Sequence, residues 1–390
     1  METLKAPPPG GRLLDIRARE VRWHEVVIEW AIRIVACVSI IMVFLIFVFV
    51  LKEAAPVAFG KVSTARHAEP IPLEKISTLS EQDLASFLRI TVGELKDCDP
   101  AMVRELVQIQ NEGLGESSGN PDLQLNTASP RFLFLPYQWH GGQYDQPAYI
   151  WQPVSEVPKF NMAPLLIGSL KASIVALVFS VPLAILAAIF VSQLAAPNVR
   201  EVCKPAIEML SGIPSVVLGF FALMVQASIL QWLLGTPLRL NAFNAGIALG
   251  ISVIPIIFTI SEDALTSVPT TYRDAGLALG ANRWQVSWQI MLPAALPGIL
   301  AAVVLGFGRV VGETMIVLMA SGNAAVVSWD LFDSCRTMTA TIAAEMGEVE
   351  VGGIHYRMLF FIGILLFLMT FVTNLVGEYL VFRYQGRHGG

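Results

Sequence analysis

The chain has 390 residues, 54% of them hydrophobic and 15% charged, with a mean hydropathy of +0.61 and a net charge of −5. Soluble domains carry about 25% charged residues, so this composition argues against one and points to a polytopic membrane protein. No basic segment suits nucleic acid, and the four cysteines (Cys37, Cys98, Cys203, Cys335) lack metal-ligand spacing.

The N-terminal arm, residues 1–29, is basic (Arg12, Arg17, Arg19, Arg22) and leads into an apolar run over Trp30–Leu51. That run is too long for a signal-peptide core and no small-residue cleavage site follows, so it reads as an uncleaved first span. A span needs about 20 apolar residues, and five more runs qualify: Leu165–Leu194, Ile213–Leu233, Ala242–Ile260, Leu296–Ala320 and Met358–Phe382. Basic residues in the arm, beside Arg200 and Lys204, beside Arg273 and Arg283, and at Arg383 and Arg387 fall on one side of a six-span chain. The positive-inside rule makes that side cytoplasmic, with both termini inside. Asp330, Asp333, Glu345, Glu348 and Glu350 lie outside. Cys98 and Cys335 share that outer side, which leaves a disulfide between them open beside the alternative of four unrelated thiols.

Residues 52–160 form an outer-side insertion between spans 1 and 2, long enough to fold. A capping pattern at Ser80 predicts a helix to Ile90, and a second helix is expected over 100–111. The stretch 111–121 reads as loop, and the aromatic-rich run from Phe132 to Trp151 as short strands. Removing about residues 66–146 is expected to leave a folded membrane core. Its expected role is to engage a binding protein or close over the outer mouth. Residues 161–385 are the core that carries spans 2–6. Within it, Lys171 is expected to snorkel to the interface.

At the start of the third span, Gly212-Ile-Pro214-Ser215 reads as an unwound entrance whose backbone N–H groups can face an anion, or as an ordinary helix start with proline. Residues 262–294 are a patterned helical loop, where ordinary loops are short and rich in Gly, Ser and Asn. Val268-Pro269 breaks it near the start, Arg273-Asp274-Ala275-Gly276-Leu-Ala-Leu-Gly280-Ala281 follows, and Ile290-Met-Leu-Pro293 closes it. The predicted form is a two-helix corner turning at Gly280. Small Ala275, Gly276, Ala278 and Gly280 on its surface would fit a soluble partner's groove. In the fifth span, Gly306-Phe-Gly308-Arg309-Val-Val-Gly312-Glu313-Thr314 places charge in lipid, which is costly and usually functional. Arg309 and Glu313 are expected to share a helix face as an i, i+4 pair. Gly308 and Gly312 would let another helix approach. The reading is a substrate-path stripe whose guanidinium suits an oxyanion; the alternative is a self-neutralised structural pair.

The corner resembles the docking loop of ABC-importer permeases, with Asp274-Ala-Gly where that family has Glu-Ala-Ala and matching steps to Gly280 and Ile290. The Arg309–Thr314 run, with Gly212-Ile-Pro-Ser-Val-Val-Leu-Gly219 and Arg336-Thr-Met-Thr-Ala-Thr-Ile-Ala-Ala-Glu345, resembles the signatures of phosphate-importer permeases of the PstC type. The likeness covers residues of about 150–385; residues 57–148 exceed the outer loop expected of that family. It implies an all-α, six-helix type I ABC-importer fold in the inner membrane and a role for Arg309 and Glu313 in transport. Thr314, Gly212, Pro214 and Ser215 are further candidates for the path. Arg273, Asp274, Ala275, Gly276, Gly280 and Ala281 are the candidates for docking an ATPase.

The implied partners are a second permease subunit (PstA-type), an ATPase dimer (PstB-type), a periplasmic phosphate-binding protein (PstS-type), phosphate and membrane lipid. No catalytic residue, metal site or cofactor is expected, and no Gly-x4-Gly-Lys-Ser/Thr run suggests ATP binding in this chain. The expected function is import of inorganic phosphate. Rivals are a permease for sulfate, molybdate or phosphonate, and a non-transporting scaffold or sensor of phosphate status. A carboxylate at 313 favours phosphate, because it accepts a hydrogen bond from HPO₄²⁻ and repels unprotonated sulfate.

Overall fold

A computed structural model describes residues 23–60, 98–117, 121–140, 146–155 and 157–388, with isolated positions among 61–97. Two compact units divide the chain, residues 1–50 and 51–390. Helix α1 (Trp23–Ala58) begins in the first and ends in the second. Most of the basic arm lies outside the described residues. Among the described residues, six helical segments are long and apolar enough to cross a membrane: Val27–Ala58, Ala163–Leu194, Ser215–Leu234, Ala242–Ser267, Arg283–Gly312 and Ile354–Arg383.

In the second unit the elements after α1 are α2 (Pro100–Ser117), α3 (Pro130–Phe134), a two-residue hairpin of β1 (Trp151–Gln152) and β2 (Lys159–Phe160), and α4 (Ala163–Ile189). Then come α5 (Pro197–Met209), α6 (Ser215–Phe221), α7 (Ala227–Leu234), α8 (Ala242–Ser267), α9 (Thr270–Ala278), α10 (Arg283–Val286), α11 (Leu292–Gly312), α12 (Met315–Ala320), α13 (Met338–Glu345) and α14 (Ile354–His388). Helix α8 is the hub. It packs on α4 and α11, and α11 packs on α14. The shared core is built from small residues, including Ala172, Ala176, Ala245, Ala248 and Ala302, around Ile257 and Phe258. Helices in lipid gain little from hydrophobic transfer against each other, so close backbone approach through small side chains supplies the packing. A Cβ at Gly306 of α11 would lie 2.7 Å from Ile257 of α8, so this glycine sets the distance between the two helices.

The span predicted as Leu296–Ala320 is interrupted. Helix α11 ends at Gly312, Glu313 is extended (φ −72, ψ 130), and α12 restarts at Met315. Helix α2 runs through to Ser117, so residues 111–117 are helical where their Gly and Ser content predicted loop. Among the described residues of the run from Phe132 to Trp151, only Tyr137↔Ala148 forms a bridge before β1, and Phe132 lies in α3. Of the helix predicted from Ser80, positions 84, 87 and 88 are helical and the rest lies outside the described residues.

The described part of the insertion has three cores, one of them formed by Leu123, Trp139, Ile150 and Val157. Leu84, Leu95, Val103 and Val107 form another cluster. Val62, Ala128, Leu133, Trp151 and Phe160 instead share a core with Leu165 of α4 and Met358, Leu359 and Ile362 of α14. Asn126 donates to Val62 C=O, and Asn161 donates to Phe132 C=O and Leu135 C=O. A cut of residues 66–146 therefore removes Leu133 and Asn126 from the base on which the membrane helices pack.

Candidate functional site

Three places in the second unit carry the predicted site residues. The first is the two-helix corner. Val268-Pro269 ends α8 and begins α9, as the proline requires. Helix α9 closes in a Schellman turn: Gly280 is left-handed (φ +85), Ala281 N–H donates to Gly276 C=O, and Gly280 N–H donates to Leu277 C=O. Asn282 then caps α10 in a reciprocal capping box with Gln285. Asp274, Ala275, Ala278 and Gly280 are exposed, and Arg273 and Ala281 are half-buried.

Gly276 is not on the surface. It is buried, and a Cβ there would lie 2.6 Å from Ile290 Cδ1 and 3.0 Å from Val286 Cγ2. Its role in the corner is to let α9 close on the helix that follows. The exposed face carries residues that sequence reasoning passed over. Leu279 is 89% exposed, and Trp284 and Trp288 stack with ring centroids 6.0 Å apart. Their i, i+4 spacing was the available signal.

Behind the corner lies a buried carboxylate. Glu262 on α8 is fully buried; it accepts hydrogen bonds from Arg200 Nη2, from Lys204 Nζ at 2.6 Å and from Thr266 Oγ1 at 3.1 Å. The hydrogen bond to Glu262 raises the Lys204 pKa above its ordinary value, against the opposing effect of burial. Arg200 and Lys204, legible in the sequence only as cytoplasmic-side charges, fasten α5 to the last turns of α8. Lys171 is also buried, 3% exposed, and donates to the carbonyls of Ser328 and Asp330 rather than snorkelling.

The second place is the break in the fifth span. Because α11 stops at Gly312, Arg309 and Glu313 do not occupy a common helical face, and no salt bridge joins them among the described residues. Arg309 is exposed and has neither an ion-pair nor a hydrogen-bond partner within the described chain. Leu305, Arg309 and Gly312 form an open stripe on α11, and a Cβ at Gly312 would meet nothing within 4 Å. Gly308 is half-buried, and a Cβ there would lie 4.0 Å from Asn374 Oδ1 of α14. The close approach of helices within the chain uses Gly306, not the Gly308 and Gly312 step. Glu313 is half-buried and its carboxylate accepts from the N–H of Thr314 at 3.2 Å; Thr314 caps α12.

Gly212 ends a 3₁₀ turn and Pro214 precedes α6 in an extended conformation, so the Gly212–Pro214 entrance is unwound and exposed, with Ser215 half-buried at the first position of α6. The residue of that run that reaches the break is Gly219, whose added Cβ would lie 3.1 Å from the carbonyl of Met315. Helix α6 thus lies against α12, while Gly212 and Pro214 precede it and Ser215 opens it. The cysteines are all free: Cys335 is buried, which pushes its thiol up to about 11, and Cys98 belongs to the separate insertion cluster.

Comparison with known proteins gives the family. A "Probable ABC transporter permease protein YqgH" of Bacillus subtilis is 35% identical over 59% of this chain and 74% of its own length. A "Phosphate transport system permease protein PstC" of Pasteurella multocida is 31% identical over 66% of this chain and 82% of its own, and a PstC of Mesorhizobium japonicum is 31% identical over 61% and 78%. Among solved structures, an inward-facing MetNI methionine ABC transporter matches 57% of this chain and 94% of that one at 18% identity, with a TM-score of 0.43. The profile of the "binding-protein-dependent transport system inner membrane component" family matches residues 180–386. That is more than half of the 390 residues, and it takes in the corner, the break and five of the six apolar helices in whole or part; the chain belongs to this family of ABC-transporter permeases.

Proposed function

We propose that the chain is a permease subunit of an ATP-driven importer of inorganic phosphate, forming the path with a second permease subunit. The observation that carries this reading is Arg309: a permanent cation on an apolar helix, exposed and unpaired among the described residues, beside a backbone break that holds Glu313. An unpaired guanidinium in lipid is costly, so its stripe on α11 faces a second subunit or an aqueous path. A guanidinium binds oxyanions bidentately. The carboxylate at 313 selects for a protonated one, and relatives named for phosphate transport support that choice.

The corner at 270–291 docks on the ATPase through Asp274, Ala275 and Leu279, with Arg273 at its edge and Gly276 and Gly280 setting its shape. Both termini are cytoplasmic, and a phosphate-binding protein delivers substrate on the opposite side. The insertion lies on that delivery side, and its separate cluster around Leu84 and Val107 engages the binding protein. The partner ATPase dimer supplies the hydrolysis.

The deciding test is uptake by the assembled complex in proteoliposomes, with phosphate and sulfate compared. Phosphate uptake lost on Arg309→Lys, with assembly intact, is the expected result; equal uptake of sulfate would overturn the substrate. Orientation is tested by labelling: a cysteine introduced at Ser117 should react with an impermeant reagent in intact cells, and one at Asn282 only after permeabilisation. Labelling at 282 in intact cells would reverse the topology.

A further inference from the structure

Helix α13 spans the distance between the break and a charged cluster at the insertion end, and both of its ends are tied. It packs against α4, α12 and α14. Near its start, the Thr339 hydroxyl donates to the backbone carbonyl of Glu313 at 3.0 Å. Thr339 is itself buried, with the Thr337 hydroxyl 3.2 Å away. The end of a helix leaves its last carbonyls without intrahelical donors, and inside an apolar layer no water replaces them. Thr339 supplies the missing donor to Glu313, the residue whose side chain stands at the break.

At the far end of α13, the Glu345 carboxylate accepts from Trp151 Nε1 at 3.0 Å, contacts His355 Nε2 at 2.8 Å and pairs with Arg336 at 2.7 Å. Those three partners come from β1, from the first turn of α14 and from the loop entering α13. Burial works against the Glu345 charge, but the hydrogen bonds from His355 and Trp151 hold its carboxyl below the usual range. One acidic side chain thus gathers the base of the insertion, the sixth apolar helix and α13.

We infer that Thr339 is a positioning residue for Glu313, and that the Glu345 clamp sets where Thr339 stands. The strut α13 then makes the break responsive to the end of the bundle where the insertion sits. This rests on the reading of Glu313 as a path residue. A hydrogen-bonded strut held at both ends gives an event at the insertion base a short route to the site, across one eight-residue helix.

The experiment uses the full complex with its partner subunits in proteoliposomes, each variant first checked for assembly. Thr339→Val keeps the shape and removes the donor; Thr339→Ser keeps the donor and removes a methyl group. The expected result is a kcat for phosphate lowered about fivefold in the Val variant, roughly what one neutral hydrogen bond is worth, with the Ser variant near wild type. A packing role predicts the reverse order, and that order would overturn the inference. Glu345→Gln should act in the same direction, and in the double variant with Thr339→Val the loss should be less than the product of the two. Independent, multiplying losses would also overturn it. Stimulation of the partner ATPase must follow the same ranking, and it does not depend on which oxyanion is carried. A complex that hydrolyses ATP with this ranking but takes up no phosphate therefore refutes the substrate and leaves the strut intact.

Discussion

Glu262 near the end of α8 and Glu313 just past the end of α11 are carboxylates at the ends of apolar helices, and their surroundings are opposite. Glu262 is fully buried and answered by two cations and a hydroxyl from neighbouring positions on α5 and α8. Glu313 is half-buried and answered by one backbone N–H of its own turn, while Arg309, its nearest cation in sequence, stands exposed and unpaired among the described residues. A satisfied buried charge is structural by construction: removing one partner strands the others in low dielectric. An unsatisfied charge on an open stripe has its partner elsewhere, in a substrate or a second subunit. The contrast separates the fastening of the corner from the proposed path.

The strongest way to break that contrast is the exchange Arg309→Glu with Glu313→Arg. Neutrality is kept, so a structural pair would survive it, whereas a path with a defined cation and carboxylate should lose phosphate uptake altogether, in fully assembled complex. Wild-type uptake by the swapped protein would return both residues to structure. Arg309→Lys should cost most of the activity, since the charge stays and the fork is lost. Glu313→Gln should leave residual transport that discriminates less against sulfate.

Glu262→Ala sharpens the other side. It leaves Arg200 and Lys204 without their shared acceptor, and because both cations are partly exposed the loss is about 1–3 kcal/mol. The measurement is the yield and thermal stability of the purified complex, and stability unchanged from wild type would remove the structural assignment. Within the corner, Gly276→Val places a side chain against Ile290 and Val286 and should cost about 1–3 kcal/mol by overpacking. Reversing the charges of Arg273 and Asp274 together should leave stability alone and abolish co-purification of the ATPase; an unchanged complex would deny this face its docking role.

The smallest expected effect is on pH dependence. Glu345 has its folded pKa below the ordinary 4.5, so its stabilising contribution is present above that value and is lost as pH falls through the depressed one. Thermal stability of the wild type should therefore fall more steeply below about pH 4.5 than that of Glu345→Gln, and identical slopes would show that the clamp contributes nothing.

Removing about residues 66–117 should spare the membrane core, while the longer cut 66–146 should not. Only the first leaves Asn126, Leu133 and Ala128 in place. Circular dichroism and detergent-stable yield of the two deletions decide it.

Sequence determined what depends on neighbours along the chain. The six apolar runs follow from the length needed to cross a bilayer. The corner follows from Val268-Pro269, Gly280 and the capping Asn282, each of which acts within a few residues of itself. The charged run at 309–313 was conspicuous because charge in an apolar segment is rare.

Tertiary structure decided what depends on residues far apart. The chain from Leu296 to Ala320 contains no proline after Pro297 that would announce a stop at Gly312; at the break the carbonyl of Glu313 accepts from Thr339, 26 positions away. The i, i+4 pairing of Arg309 with Glu313 failed for the same reason, since it presumes a continuous helix. Glu262 gained its meaning from Lys204 and Arg200, 58 and 62 residues away. Gly276 and Gly280 look alike in sequence, but one is buried under Ile290 and the other turns the chain in the open. Local rules see a side chain's conformational preference and its polarity; which groups it meets is set by packing, and in an apolar layer a charge is structural or functional according to whether packing has supplied its partner.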